Sequence, residues 1–120
     1  MITRCSPREL AETLLLRSEC IIQMAAVLSD KYGIFSWGWN HPGPLSEGVH
    51  AEEHAIMRAN RKRLRGAKLT VAGRRKKNGN RVLSRPCDDE DWSCLLLVQS
   101  TRIGTVEYHT KNGVWEKIRL

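Results

Sequence analysis

Nothing in the 120-residue sequence is apolar for long enough to span a membrane. It also does not open on a basic segment leading into an apolar run and a small-residue cleavage site. No internal repeat or low-complexity tract appears, so solenoid and disordered classes are excluded. With no export signal evident, the four cysteines read as thiols or metal ligands before disulfides. These absences lead to the expectation of one domain spanning residues 1–120, without a membrane partner. The expected setting is cytoplasmic, with the nucleus left open and the oligomeric state unassigned.

What is present is charge of one sign, in blocks. The net charge is +7, and Arg58, Arg61, Lys62, Arg63 and Arg65 form one block while Arg74, Arg75, Lys76, Lys77 and Arg81 form another. Such blocks either draw polyanions by counterion release or are simply solvated faces. Within them, Arg61, Lys62, Arg63, Arg74, Arg75, Lys76 and Lys77 are the candidate nucleic-acid contacts.

Local signals give a sequence of elements. Ser6-Pro7-Arg8-Glu9 is a helix start with an N-cap, a first-turn proline and a capping-box glutamate. Apolar spacing from Leu10 to Leu28 extends the predicted helix from about Pro7 to Asp30, placing Cys20 in its core and Cys5 at the surface. Ile34–Asn40 reads as an aromatic strand, and His41-Pro42-Gly43-Pro44 as a loop. A second helix should run from Ala51 past Leu64 to a stop at Gly66. Lys68–Gly73 reads as a strand, and Arg74–Leu83 as a hairpin with a type I′ turn at Asn78-Gly79. Leu95–Ser100 reads as a helix. Thr105–Thr110 and Val114–Ile118 are strands joined too tightly at Lys111-Asn112-Gly113 for a crossover, so they should pair antiparallel. The expected fold is α/β: a three-layer α/β/α sandwich around a mixed five-stranded sheet whose last two strands are antiparallel.

The chemistry-bearing residues are His50-Ala51-Glu52, Pro86-Cys87 and Cys94. One imidazole and two thiolates make three zinc ligands, and catalytic zinc sites leave the fourth position to water. Glu52, two residues past the His on the first turn of a helix, is placed to handle that water's protons. Other readings remain open. His50 and His54 stand four apart as in a zincin helix, but that motif needs Glu directly after the first His and Ala51 stands there; His54 then faces the core or supports a ligand. A structural zinc finger needs a fourth ligand, for which Cys5 and Cys20 are poorly placed. A purely nucleic-acid-binding module explains the charge and leaves the His-Ala-Glu and Pro-Cys sets to coincidence.

His-Ala-Glu followed by Pro-Cys and a further Cys resembles the zinc-dependent cytidine deaminase superfamily. The similarity extends over roughly Ile34 to Ile118. It includes Gly38-Trp39-Asn40, Ser84-Arg85-Pro86-Cys87, Ile103-Gly104-Thr105-Val106-Glu107-Tyr108 and the closing Asn-Gly turn, which look like a branch of small CMP/dCMP-type or polynucleotide deaminases. The usual interval between the cysteines is two residues, and here Asp88 to Ser93 makes it six. The resemblance implies a cytidine deaminase-like fold with His50, Cys87 and Cys94 binding zinc, whose bound water is acidic at about pH 7. It implies Glu52 as the catalytic proton carrier, and Asn40 and the Ala51 amide as substrate contacts. Trp39 and Trp92 are candidate pocket walls, Trp92 being equally readable as a core residue; Trp37 and Trp115 are further stacking candidates.

The expected activity is hydrolytic deamination of cytosine to uracil in a nucleoside, a nucleotide or single-stranded DNA or RNA. By resemblance, the antiparallel ending favours cytosine over adenine. The alternatives are an adenine or adenosine deaminase of the same fold acting on RNA, or a catalytically silent nucleic-acid binder.

Overall fold

The computed structural model describes residues 5–42, 48–88 and 93–120. Five strands form one mixed sheet: β1 (Ile22–Asp30), β2 (Gly33–Trp39), β3 (Lys68–Arg75), β4 (Thr105–His109) and β5 (Trp115–Arg119), in the order β2-β1-β3-β4-β5. Only β3 and β4 run parallel; the other neighbours are antiparallel, including the closing pair β4–β5. The helices are α1 (Pro7–Leu14, continued by a 3-10 turn Leu15–Arg17), α2 (Ala51–Arg58), α3 (Arg61–Leu64) and α4 (Cys94–Ser100).

The predicted helix from Pro7 to Asp30 is corrected. Helix α1 starts as the sequence signals, with Ser6 Oγ accepting from Glu9 N at 3.1 Å and Pro7 in the first turn. It ends at Leu14, and Ile22–Asp30 is instead a strand, with β2 on one side of it and β3 on the other. Ala25 and Val27 pack with Ala11, Leu14 and Leu15 of the α1 segment, whereas Ala26 and Leu28 pack with Ala51 and Ala55 of α2. A strand buried on both faces carries a nearly continuous apolar run, which periodicity alone does not separate from a buried helix.

Two smaller corrections follow. The helix predicted to reach Gly66 breaks after Arg58, and Asn60 caps a separate short α3 through Lys62 N at 3.0 Å. The hairpin after β3 reduces to one bridge, Arg74 to Arg81. A type I′ turn needs positive φ at both central residues, and here Gly79 has it (72°) while Asn78 does not. The chain closes instead through Gly79 N to Arg75 O at 2.9 Å.

The strand directions put one end of the sheet to use. Strands β3 and β4 finish at Arg75 and His109, while α2 and α4 begin at Ala51 and Cys94. Loops outside the carboxyl ends of parallel strands are where open α/β sheets place their sites. The opposite end holds α3, the start of β3 and the Arg63–Asp30 pair, whose two hydrogen bonds measure 2.6 and 2.7 Å. Across the β4 strand, Glu107 is only 2% exposed and takes both bonds of the Arg8 guanidinium at 2.9 and 3.0 Å, tying α1 to the sheet.

Candidate functional site

Helix α2 lies directly on β2 because Gly38 presents no side chain. A Cβ there would stand 2.5 Å from Ala55 N, 2.8 Å from His54 Cβ and 3.0 Å from Ala51 O. Ser36, two residues earlier, donates its hydroxyl to Ala55 O at 2.7 Å. His54 Nδ1 sits 3.2 Å from both the amide and the carbonyl of Trp39, fixing the same helix to the strand's end. Burial, followed by the neighbouring His41, holds the His54 imidazole below its ordinary range against the raising effect of the Trp39 backbone. His54 thus ties α2 to the end of β2 through the Trp39 backbone.

This seating carries His50 to the N-cap of α2. Its Nδ1 lies 3.2 Å from Cys94 Sγ and 4.0 Å from Cys87 Sγ. Cys87 is anchored to the first turn of α4: its carbonyl accepts from Leu95 N at 3.1 Å and from Ser93 Oγ at 3.0 Å, and its sulfur accepts from Cys94 N at 3.4 Å. Ser93 in turn caps α4 by accepting from Leu96 N at 3.1 Å. The six-residue interval therefore still returns both thiols to one point. The ligand atoms of His50, Cys87 and Cys94 lie within 4.8 Å of one another, close enough to hold a metal ion. Among the described residues no fourth His, Cys, Asp or Glu joins the group.

The donor set suits a borderline ion such as zinc. A tetrahedral zinc with ordinary bond lengths separates its donors by roughly 3.5–3.8 Å. The two imidazole–thiol spacings of 3.2 and 4.0 Å straddle that range, and all the donor atoms lie within 4.8 Å of one another.

Beside the three donors is a cavity of 320 Å³, walled by Ile22, Met24, Asn40, His41, Ala51 and Glu52 together with His50 and Cys87. Glu52 is 4% exposed. Burial pushes its carboxyl above the ordinary carboxylate range, while its own backbone amide, His50 and a hydrogen bond with Cys94 pull the other way. Asn40 contributes a wall, but its amide is already engaged. Oδ1 accepts from Ser18 Oγ (2.6 Å) and Met24 N (2.8 Å), and Nδ2 donates to Ile22 O (2.8 Å).

Other sequence candidates fall elsewhere. Trp39 packs edge-on against His54 at 4.8 Å and beneath Arg17 and Arg58, outside the cavity wall. Trp37 lies under Arg58, and Trp115 meets His109 and Arg8. Trp92 lies outside the described residues. The Arg61–Arg63 block sits on α3 at the far end of the sheet, with Arg63 occupied by Asp30 and resting on Phe35. The Arg74–Lys77 block lies at the site end, with Arg74 bonded to Gln23 at 2.7 Å.

Among the cavity residues that the sequence does not single out, three carry reactive or charged side chains: Cys20, His41 and Arg85. Cys20 was expected inside a helix and is instead a half-buried thiol on the cavity wall, ahead of β1. The Ser18-Glu19 break before it was the available signal. Among the described residues no helix is long and apolar enough to cross a membrane. No protein-family model and no curated protein matches the chain.

Proposed function

We propose that the protein is a zinc-dependent hydrolytic deaminase of cytosine, built as a three-layer α/β/α domain of the cytidine deaminase type. One observation carries the reading: an imidazole and two thiols converge at a cavity that His50, Cys87 and the buried Glu52 line, with no fourth ligand among the described residues. A structural zinc site fills all four positions from the protein.

Zinc held by these three side chains would supply Lewis-acid activation of a water at neutral pH. Glu52 would accept a proton from the attacking water and return it to the ring nitrogen N3 of the base. The carboxylate then carries the second proton to the exocyclic amine, so the C4–N bond breaks and ammonia leaves a uracil carbonyl. The net change is one water consumed and one ammonia released. The Ala51 amide, the first of α2 and without an intrahelical acceptor, would hold the base carbonyl. Asn40, already committed to β1, shapes the wall and keeps one amide hydrogen for the sugar. The antiparallel β4–β5 ending is the one the resemblance associates with cytidine rather than adenosine chemistry.

The test is ammonia release from cytidine, deoxycytidine, their monophosphates and single-stranded DNA and RNA by the zinc-loaded protein. Glu52→Ala should abolish release with zinc still bound, and His50→Ala should lose the metal. Full activity in Glu52→Ala, or a metal unaffected by His50→Ala, would refute the assignment. A second reading, a silent nucleic-acid binder, is favoured by the basic residues at the site end of β3; it forecasts salt-sensitive binding with no ammonia from any base.

A further inference from the structure

Next to the site cavity lies a second hollow that the reaction does not use. It is an open groove of 670 Å³ walled by Arg75, Arg81 and Lys111, the amides Asn80 and Asn112, and the apolar Leu83. The two hollows share the segment 82–85 as a partition. Val82 and Leu83 line the groove and Arg85 lines the site cavity. At Gly73 the walls nearly touch: an added Cβ would meet Met24 Sδ of the cavity at 2.6 Å and Val82 Cγ2 of the groove at 3.0 Å.

Along this partition exposure alternates. Arg81, Leu83 and Arg85 face solvent, while Ser84 and Pro86 are buried. Ser84 N to His109 O at 3.0 Å and Ser84 Oγ to Val71 O at 2.7 Å pin the segment to the sheet. The segment from Arg81 to Arg85 therefore carries an exposed cation at each end and the exposed apolar Leu83 between them. Glu12 takes the Arg81 guanidinium in an ion pair, which makes Arg81 a fixed wall. Among the described residues Arg75, Arg85 and Lys111 have no carboxylate in ion-pair range, and all three are exposed.

We infer that this groove binds the sugar-phosphate backbone of a single-stranded nucleic acid, which passes over Leu83 and Arg85 and drops one base into the site cavity. The groove wall gathers Arg75, Arg81 and Lys111 with the Asn80 and Asn112 amides and the apolar Leu83, and Arg85 stands just beyond it, a lining that suits a polyanion with sugar edges and base faces. A free nucleotide offers phosphate at one end only and reaches Arg85 without using the groove. The α3 block has no part in this track, since it lies at the opposite end of the sheet. Backbone binding stands on the groove alone; the base dropping into the cavity rests on the deaminase reading.

The test uses the zinc-loaded protein with fluorescein-labelled oligo-dC and oligo-C, read by fluorescence anisotropy between about 50 and 200 mM salt. Arg75→Gln with Lys111→Gln should weaken binding at least tenfold, and the log–log salt slope should flatten by about 0.7 for each charge removed. Arg61→Gln with Lys62→Gln should bind as the unaltered protein does. Circular dichroism confirms that each exposed variant is folded. Equal binding of DNA and RNA assigns the contact to phosphate, and tighter RNA binding adds the 2′-hydroxyl to the Asn80 and Asn112 amides. Unchanged affinity in the Arg75/Lys111 variant, or an equal loss in the Arg61/Lys62 variant, overturns the groove. Ammonia released from dCMP without oligonucleotide binding overturns the groove and leaves the reaction standing. Groove-dependent binding without ammonia from any cytosine supports the groove and removes the reaction.

Discussion

Gly38→Ala tests whether the seating of α2 on β2 is what assembles the donors. The added methyl carbon would stand 2.5 Å from Ala55 N and 3.0 Å from Ala51 O, both main-chain atoms that cannot swing aside. Restoring ordinary van der Waals contact at about 3.5 Å requires α2 to lift by roughly 1 Å. Overpacking of this kind costs about 1–3 kcal/mol. Gly38 does not have a positive φ, so alanine also recovers about 0.4–1 kcal/mol from the unfolded chain. The net expectation is a loss of about 1–2 kcal/mol, a fall in Tm of roughly 3–10 °C. His50 rides on the first turn of α2, whereas Cys87 and Cys94 are fixed to α4, so the lift pulls the imidazole away from the thiols. Urea melts with chelator present give the stability, and zinc competition against a chromophoric chelator gives the affinity, which should drop at least tenfold. A variant as stable as the parent that also binds zinc equally would refute the idea that this close approach sets the site.

Other outcomes follow from the same geometry. Zinc at about a hundred times its Kd should raise stability by about 2.7 kcal/mol, seen as a rise in Tm by scanning fluorimetry that vanishes in Cys94→Ala; an undiminished rise there would remove Cys94 from the ligand set. Asn40→Ala breaks three hydrogen bonds, two to the start of β1 and one to Ser18 before it, and should cost about 2 kcal/mol or more in denaturant; a neutral result would show that water replaces the amide. At Glu107, burial pushes the carboxyl up, but Arg8, Lys68 and Lys117 outweigh it and hold it below the ordinary range. A depressed carboxylate stabilises fully above its unfolded value near 4.3 and loses that contribution as pH falls through its folded value. The stability gap between the parent and Glu107→Gln should therefore be full at neutral pH and close in acid, and a gap independent of pH would contradict the ion-pair account.

The site was more legible than the frame around it. His50, Cys87 and Cys94 stood out by residue type, and the fold brings their donor atoms within 4.8 Å of one another, close enough to hold a metal. The antiparallel β4–β5 pair followed from a connection too short for anything else, and Gly113 takes the positive φ of 81° that such a turn uses. Strand β1 was misread because Ile22–Leu28 is buried on both faces, which erases the alternation that marks a strand. The break between α2 and α3 was missed because Ala59 and Leu64 keep helical spacing across it while Asn60 restarts the chain as a cap. Nothing local to Asn40 shows that three of its hydrogen bonds go to residues 16 to 22 positions away. Long-range partners of a polar side chain leave no trace in the residues beside it.

His50 and Cys94 come together from 44 positions apart. Drawing those two points together in a disordered chain costs about 3 kcal/mol of loop-closure entropy, whereas Cys87 and Cys94 remain near each other whether or not the chain has folded. An ion meeting the nascent polypeptide therefore finds a sulfur pair early and the imidazole only once the sheet has assembled. Metal capture would then act as a late lock, drawing its gain in affinity from a tertiary structure already in place.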